Sequence, residues 1–217
     1  MPSPLEIDFV SDVACPWCAV GLASLQQALA RLAPEATATL RLQPFELNPD
    51  MPPGGEDMTE HLVRKYGGPP EQFAASRAAI RERGAAVGFD FHPGGRGRIY
   101  NTFDAHRLLH WAGLQGEQPA LALKRALLEA YHGRAEAIEQ PEVLLAAVAA
   151  AGLDADDARR VLASGDYADE VRAAEAYWQQ AGIRAVPAVV VNRRHLISGG
   201  QPPEVFERAL RQIAQGG

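Results

Sequence analysis

Both cysteines of the chain fall within one tetrapeptide, Cys15-Pro16-Trp17-Cys18, placed where a strand pattern gives way to a helical one. Leu5-Glu6-Ile7-Asp8-Phe9-Val10 alternates with period two and reads as a strand, and Ser11-Asp12 is a short polar turn. Beyond the tetrapeptide, Val20, Leu22, Leu25, Leu29 and Leu32 recur at helical spacing, and Pro34 marks the helix end. Pro16 falls in the first helical turn, where its missing N–H costs nothing. Widely separated cysteines would suggest a covalent staple. Two at C-x-x-C spacing suggest redox chemistry or half of a metal site. Zinc needs about four ligands; with no second cysteine pair, and no ligand spacing among His61, His92, His110, His132 and His195, no metal is expected.

The position of the motif has chemical consequences. A helix N-terminus presents free N–H groups and a positive dipole end, which favour an anion. The thiolate is the nucleophile of thiol–disulfide exchange, so a lowered pKa raises the reactive population. Cys15, ahead of the helix proper, is expected to be the exposed and acidified thiol. Cys18, one turn further and on the same helix face, is expected to be more buried and to resolve a mixed disulfide.

The rest of the chain is organised around a long helical stretch. Ala38 to Leu47 reads as a second strand, with Pro44 indicating an edge, a bulge or the strand end. Residues 49–56 are rich in Pro and Gly and form a boundary. Helices are expected near 57–66, 70–87, 101–113, 118–132, 141–151, 154–163 and 167–181, with Thr102, Asp154 and Asp166 as N-caps and Gly133, Gly152 and Gly182 as stops. Val186 to Asn192 reads as a strand, Asn192-Arg193-Arg194 as a turn, His195 to Ser198 as its return, and Pro203 to Ala214 as a final helix. The order is βαβ, a helical insertion, then ββα. This divides the chain into a discontinuous domain, 1–49 with 181–217, and an inserted helical domain, 50–180.

Composition narrows the partners. The 217 residues carry a formal net charge of -6, which gives no support to nucleic-acid binding. No run is long and apolar enough to span a bilayer, and Met1 to Glu6 lacks the basic and apolar regions of a secretory signal, so a cytoplasmic protein is expected. The oligomeric state is open, a homodimer among the options.

Several motifs together give the chain a family likeness. Asp12-x-x-Cys-Pro-Trp-Cys18, Asn101-Thr-x-x-Ala-His-Arg107, Gly182-Ile-x-x-Val-Pro187 and Ile197-Ser-Gly-Gly-Gln-Pro202 occur in this order. With them the sequence resembles the DsbA-like branch of the thioredoxin superfamily, in particular the FrnE-type oxidoreductases, over nearly its whole length. The resemblance implies an α/β thioredoxin-like fold with an inserted all-helical domain. It also implies exchange between a dithiol and a disulfide, with disulfide-containing proteins or low-molecular-weight thiols as substrates. In such a fold Pro187 faces the C-x-x-C as a cis-proline, an isomer almost confined to X-Pro bonds. The backbone of Val186 is then free to bond a bound thiol compound or peptide. No cofactor beyond the dithiol is implied, and glutathione is a candidate redox partner.

Other residues carry weaker expectations. Trp17 either contacts substrate or caps the domain junction. Asn101 and His106 could face the cleft from the insertion, although an apolar helical stretch also suits His106 as a core histidine. Gln201 lines the groove near Pro187 or caps the last helix. A second function comes from the same fold: glutathione-dependent isomerases and transferases of the 2-hydroxychromene-2-carboxylate isomerase and kappa type. Those commonly have Ser at the first cysteine and Ser-Asp after the last strand, where this chain has Cys15 and Gly200-Gln201. A third reading is a redox-inert chaperone or peptide-binding module. With Pro-Trp between the cysteines, no imidazole stabilises Cys15. The helix end alone is worth about 0.3–1 kcal/mol, less than one pKa unit at about 1.36 kcal/mol. The expectation is a Cys15 pKa below that of free cysteine but above that of DsbA, favouring a reductase or isomerase over a dedicated disulfide donor.

Overall fold

The computed structural model describes residues 4–33 and 35–216. Pro34, expected to end the first helix, lies outside the described residues. The chain begins β1 (Leu5–Ser11), α1 (Pro16–Leu32), β2 (Ala38–Pro44) and ends β5 (Ala188–Val191), β6 (His195–Ser198), α9 (Pro203–Gly216). These strands form one sheet in the order β2-β1-β5-β6. β2 runs parallel to β1, with Leu5 opposite Ala38 and Ser11 opposite Pro44. β5 is antiparallel to β1, with Phe9 opposite Val189, and β6 is antiparallel to β5. Asn192 and Arg193 turn the β5–β6 hairpin with φ of 53° and 55°, the left-handed pair that matches strand twist.

The period-two pattern of β1 suggests one wet face, but the strand is buried on both. Leu5, Ile7 and Phe9 pack with Val189 and Val191 against α1 and α9, where Leu22, Leu25, Phe206 and Leu210 complete the core. Val10, Ala188 and Val190 face the other way, toward Trp178 and Ile183. Asp8, on that second face, is buried and accepts a 2.7 Å hydrogen bond from Gln43 Nε2. β2 stops at Pro44 on the sheet edge, three residues before the expected end. The N–H of Leu47 is taken by Asp12 Oδ2 at 2.7 Å and so does not extend the ladder.

Between β2 and β5 lies the helical insertion: α2 (Met58–Tyr66), α3 (Gln72–Ala86), α4 (Phe103–Leu114), α5 (Glu117–Leu128), α6 (Pro141–Ala150), α7 (Ala155–Ala163) and α8 (Ala168–Gln180). Two details depart from the sequence expectation. A two-residue β pairing joins β3 (Glu56–Asp57) to β4 (Arg98–Ile99). The expected helix 118–132 is α5 followed by a π-helical turn, Glu129–Gly133, which carries Tyr131 and His132 into the interior.

The caps are partly as expected. Asp154 accepts from the N–H groups of Asp156 and Asp157 and starts α7. Thr102 makes no side-chain cap; Asn101 Oδ1 accepts the Phe103 N–H at 2.8 Å in its place. Asp166 does not cap α8: the helix starts one residue later, after Tyr167 with φ 64°, and the Asp166 carbonyl is held by Arg107 Nε at 2.9 Å. No helix among the described residues is long and apolar enough to cross a membrane.

Candidate active site

Cys15 is the N-cap of α1, with extended backbone (φ -87°, ψ 115°), and Pro16 occupies the first helical position. Cys15 is 5% exposed and Cys18 0%. The order is the expected one, but Cys15 is not the open thiol anticipated. It is covered by Val186, whose carbonyl accepts its Sγ–H at 3.5 Å, next to a cis Val186–Pro187 bond.

The thiols are electrostatically unequal. The Cys15 pKa is lowered: a hydrogen bond from the Cys18 thiol and the N–H groups of Cys18 and Trp17 favour its thiolate, while burial and the Asp12 charge oppose them. The Cys18 thiol is pushed well up, first by burial and then by its bond to Cys15. This is the asymmetry of a nucleophile and a resolving partner.

The loop before Cys15 is gripped by the helical insertion. Val13 and Ala14 belong to the insertion's hydrophobic core, with Leu108, Leu127 and Tyr131. The Val13 carbonyl faces His132 Nε2 at 2.8 Å, and the Ala14 carbonyl accepts from Arg96 Nη1 at 2.7 Å. The His132 pKa is held well below the ordinary value by burial and then by the Arg96 charge. The ring is therefore neutral, with Nε2–H donating. Arg96 also stacks on the Tyr131 ring, 4.7 Å from its centroid.

Asp12 fixes the same loop from within. It is 1% exposed and accepts from the N–H of Ala14 at 3.0 Å and of Leu47 at 2.7 Å. Burial raises its pKa, but attraction to His106 and these two N–H bonds outweigh it and the net shift is downward. His106 is 2% exposed with Nε2 3.5 Å from Asp12 Oδ1, a contact at the outer limit of a hydrogen bond. His106 thus stands beside Asp12 inside the fold and supports the active-site loop from there.

The remaining candidates divide. Trp17 is half-exposed and packs against Gly200, where an added Cβ would meet the Trp17 carbonyl at 2.9 Å. Arg83, from the insertion, donates to the Gly200 carbonyl at 3.2 Å, so Trp17 lies beside the contact between the two parts of the chain. Pro187 is buried against Gly21, and its carbonyl accepts from Gly199 N–H at 2.8 Å. Gln201 caps no helix; its Nε2 donates to the Ser198 carbonyl at 2.8 Å and closes that loop. Asn101 does not join the thiols: besides its helix cap, its Nδ2 lies 3.5 Å from the Met51 carbonyl.

Sequence reasoning missed Arg96, His132 and Lys124. Lys124 is 1% exposed; burial lowers its pKa, against the opposing pull of Cys18, Asp12 and Cys15. A signal was present: Lys124 stands three residues after Leu121 and four before Leu128, on the apolar stripe of α5.

A C-x-x-C at the first strand-to-helix turn, faced by a cis-proline that opens an antiparallel strand, defines a thioredoxin-fold thiol–disulfide oxidoreductase site. The chain belongs to the family of the DSBA-like thioredoxin domain, whose sequence model matches residues 6–211. It is similar to the structure of a probable DsbA oxidoreductase from Streptomyces coelicolor, at 36% identity over 98% of this chain and 90% of that one, with a TM-score of 0.89. It shares its fold with a protein described as a disulfide isomerase from Nitrosomonas europaea (19% identity, 99% and 100% covered, TM-score 0.75). It shares it also with a 2-hydroxychromene-2-carboxylate isomerase (16% identity, 97% and 96% covered, TM-score 0.72). Among curated proteins there is no significant match.

Proposed function

We propose that this DsbA-like oxidoreductase exchanges disulfides through a Cys15/Cys18 mixed-disulfide cycle and acts chiefly as a reductase or isomerase. In the reductive direction the Cys15 thiolate attacks one sulfur of a substrate disulfide and releases the other as a thiol. Cys18 then attacks Cys15 Sγ, forms the Cys15–Cys18 disulfide and releases the second thiol. Trp17, Val186 and Pro187 surround Cys15 and are the contacts proposed for substrate. Disulfide-bearing proteins and low-molecular-weight disulfides such as that of glutathione are the proposed partners. Cytoplasmic placement and membership of the FrnE-type branch belong to the same proposal.

The single observation that carries the reading is the placement of the Cys15 thiol against the Val186 carbonyl, beside the cis Val186–Pro187 bond, with Cys18 one turn further along α1. A glutathione-dependent isomerase needs only one activated group at this place. It gives no use to a second, buried thiol with a strongly raised pKa. A passive binding module needs neither thiol.

Insulin reduction under a thiol reductant tests the proposal. Wild type should accelerate it, Cys15→Ser should abolish the effect, and Cys18→Ser should accumulate a mixed disulfide detectable by mass. Unchanged activity in Cys15→Ser would refute it.

A further inference from the structure

Two arginines of the helical insertion reach the surroundings of Cys15, and the exchange cycle described above gives neither a task. Arg96 Nη1 donates to the carbonyl of Ala14, the residue before Cys15, at 2.7 Å. Arg83 Nη2 donates to the carbonyl of Gly200 at 3.2 Å. Gly200 in turn lies against Trp17: a Cβ added to it would meet the Trp17 carbonyl at 2.9 Å and the edge of the indole at 3.4 Å. The two guanidinium groups therefore border the motif at two places, one on the loop that leads into α1 and one on the loop that packs against its first turn.

The segment that carries both arginines is braced. Arg83 is in the last turn of α3, and Arg96 stands just before β4. Between them the rings of Phe89 and Phe91 pack with centroids 4.8 Å apart. Gly84 makes room for them, since a Cβ there would lie 2.5 Å from Phe91 Cε2 and 2.7 Å from the Phe89 carbonyl. The His92 N–H is bonded to the His132 carbonyl at 2.8 Å, and Arg96 is stacked on the Tyr131 ring. Both arginines are half-buried. Their guanidinium groups are thus in place before a ligand arrives, which lowers the ordering cost of binding.

Neither arginine forms an ion pair among the described residues, whereas Arg31, Arg64, Arg172 and Arg211 each do. Asp12, the buried carboxylate of the active-site loop, is engaged by the N–H groups of Ala14 and Leu47 and does not compensate them. A guanidinium has five N–H donors in a planar fork. One bond to a carbonyl leaves each arginine with donors to spare, and their natural acceptor is a carboxylate, which the fork binds bidentately. Cys15 is 5% exposed. A slender molecule reaches such a thiol with less rearrangement than the face of a folded protein.

We propose that Arg83 and Arg96 are specificity residues that select a small disulfide with a carboxylate on each half. The proposal rests on the dithiol reading above and names its substrate class. The Cys15 thiolate attacks one sulfur of that disulfide, and the other half leaves as a thiolate. Cys18 then bonds to Cys15 Sγ and gives its proton to solvent. The bond from Cys15 to the retained half breaks, and that half leaves as the second thiolate. The dithiol loses two electrons and the substrate disulfide gains them. The arginines take part in no bond change. They hold the carboxylates and raise the local concentration of an anionic substrate.

Two probes of opposite design test this by stopped flow on the reduced protein: 5,5′-dithiobis(2-nitrobenzoate), with a carboxylate on each ring, and the uncharged 2,2′-dithiodipyridine. The readout is the ratio of their rates, divided by the same ratio for 2-mercaptoethanol, so that intrinsic reactivity cancels. Wild type should favour the dianion about tenfold, the lower end of electrostatic enhancement, and about 1 M salt should remove most of that preference. Arg83→Gln and Arg96→Gln should each lower the ratio about threefold or more, the scale of one ion pair, and the double variant should bring it close to one. Arg→Lys at either position, which keeps the charge and loses the fork, should retain more of the ratio than Gln. A variant that only loosens the active-site loop slows both probes together and leaves the ratio in place. A wild-type ratio near one, or a ratio that survives in the double variant, overturns the inference. The dithiol reading is checked separately by stoichiometry: each wild-type molecule should release two thiolates from either probe, and release of one or none would overturn that reading whatever the ratio.

Discussion

The Cys15 thiol donates to the carbonyl of Val186 across 3.5 Å, which joins the start of α1 to the loop entering β5 although 171 residues separate the two in sequence. Cys15 thus sits between two segments that the sheet brings together. On its other side stands Cys18, the largest contributor to its lowered pKa.

The first prediction follows from that contribution. Cys18→Ala removes the donor and should raise the Cys15 pKa, whereas Cys18→Ser keeps a hydroxyl donor and should raise it less. Thiolate absorbance at 240 nm against pH measures both. For wild type the midpoint should lie below that of free cysteine. If Cys18→Ala left the midpoint in place, the thiol–thiol hydrogen bond would not be its cause.

Gly21 is predicted to be intolerant of a methyl group. A Cβ there would lie 2.9 Å from Pro187 Cγ and 3.3 Å from Gly200 Cα. Neither a proline ring nor a backbone atom yields easily. Ala is the better helix former by about 1 kcal/mol, but overpacking of this kind costs about 1–3 kcal/mol. Gly21→Ala should therefore lower Tm by a few degrees and slow Cys15 alkylation, since the displaced Pro187 adjoins the thiol. A variant with wild-type Tm and alkylation rate would show that the contact relaxes freely.

Arg107 should matter to stability and not to chemistry. It is buried, and it donates to the carbonyls of Asp166 at 2.9 Å and Ser164 at 2.6 Å, to that of Val161, and to Asp104 Oδ1 at 2.8 Å. Three carbonyls at the end of α7 and the start of α8 depend on this one side chain. Arg107→Met should cost about 3 kcal/mol in urea unfolding, the scale for removing a buried charged donor. The thiolate titration of Cys15 should be unchanged. A loss below about 1 kcal/mol would mean that water replaces the guanidinium at those carbonyls.

Glu46 sets a pH dependence of known sign. It is buried and shares the Arg172 guanidinium with buried Glu175, each carboxylate keeping one oxygen without a partner. Burial pushes its pKa up to about 7, against the opposing pull of Arg172. Between the ordinary glutamate value of about 4.3 and that point, the folded state holds a proton that the unfolded state has released. Stability contributed by Glu46 is therefore present at low pH and lost as pH rises through this window. Glu46→Gln should remove that part of the decline, seen as a flatter plot of unfolding free energy from pH 4.5 to 8. An identical slope in the variant would place the titration elsewhere.

The sequence by itself determined what depends on neighbours along the chain. The C-x-x-C at a helix start, the order of strands around a helical stretch, and the Asp154 cap are written in short-range spacing. Periodicity also put Lys124 on an apolar face, although it could not say what that face would meet. Only the tertiary structure decided the near-complete burial of Cys15, the His106–Asp12 contact, and the grip of Arg96 and His132 on the carbonyls of Val13 and Ala14. It also turned Asn101 from a cleft residue into a helix cap. The physical reason is that a buried charge or a satisfied carbonyl is a property of two segments docked together. The 82 residues between Ala14 and Arg96, and the 119 between Val13 and His132, carry no local signal of that docking.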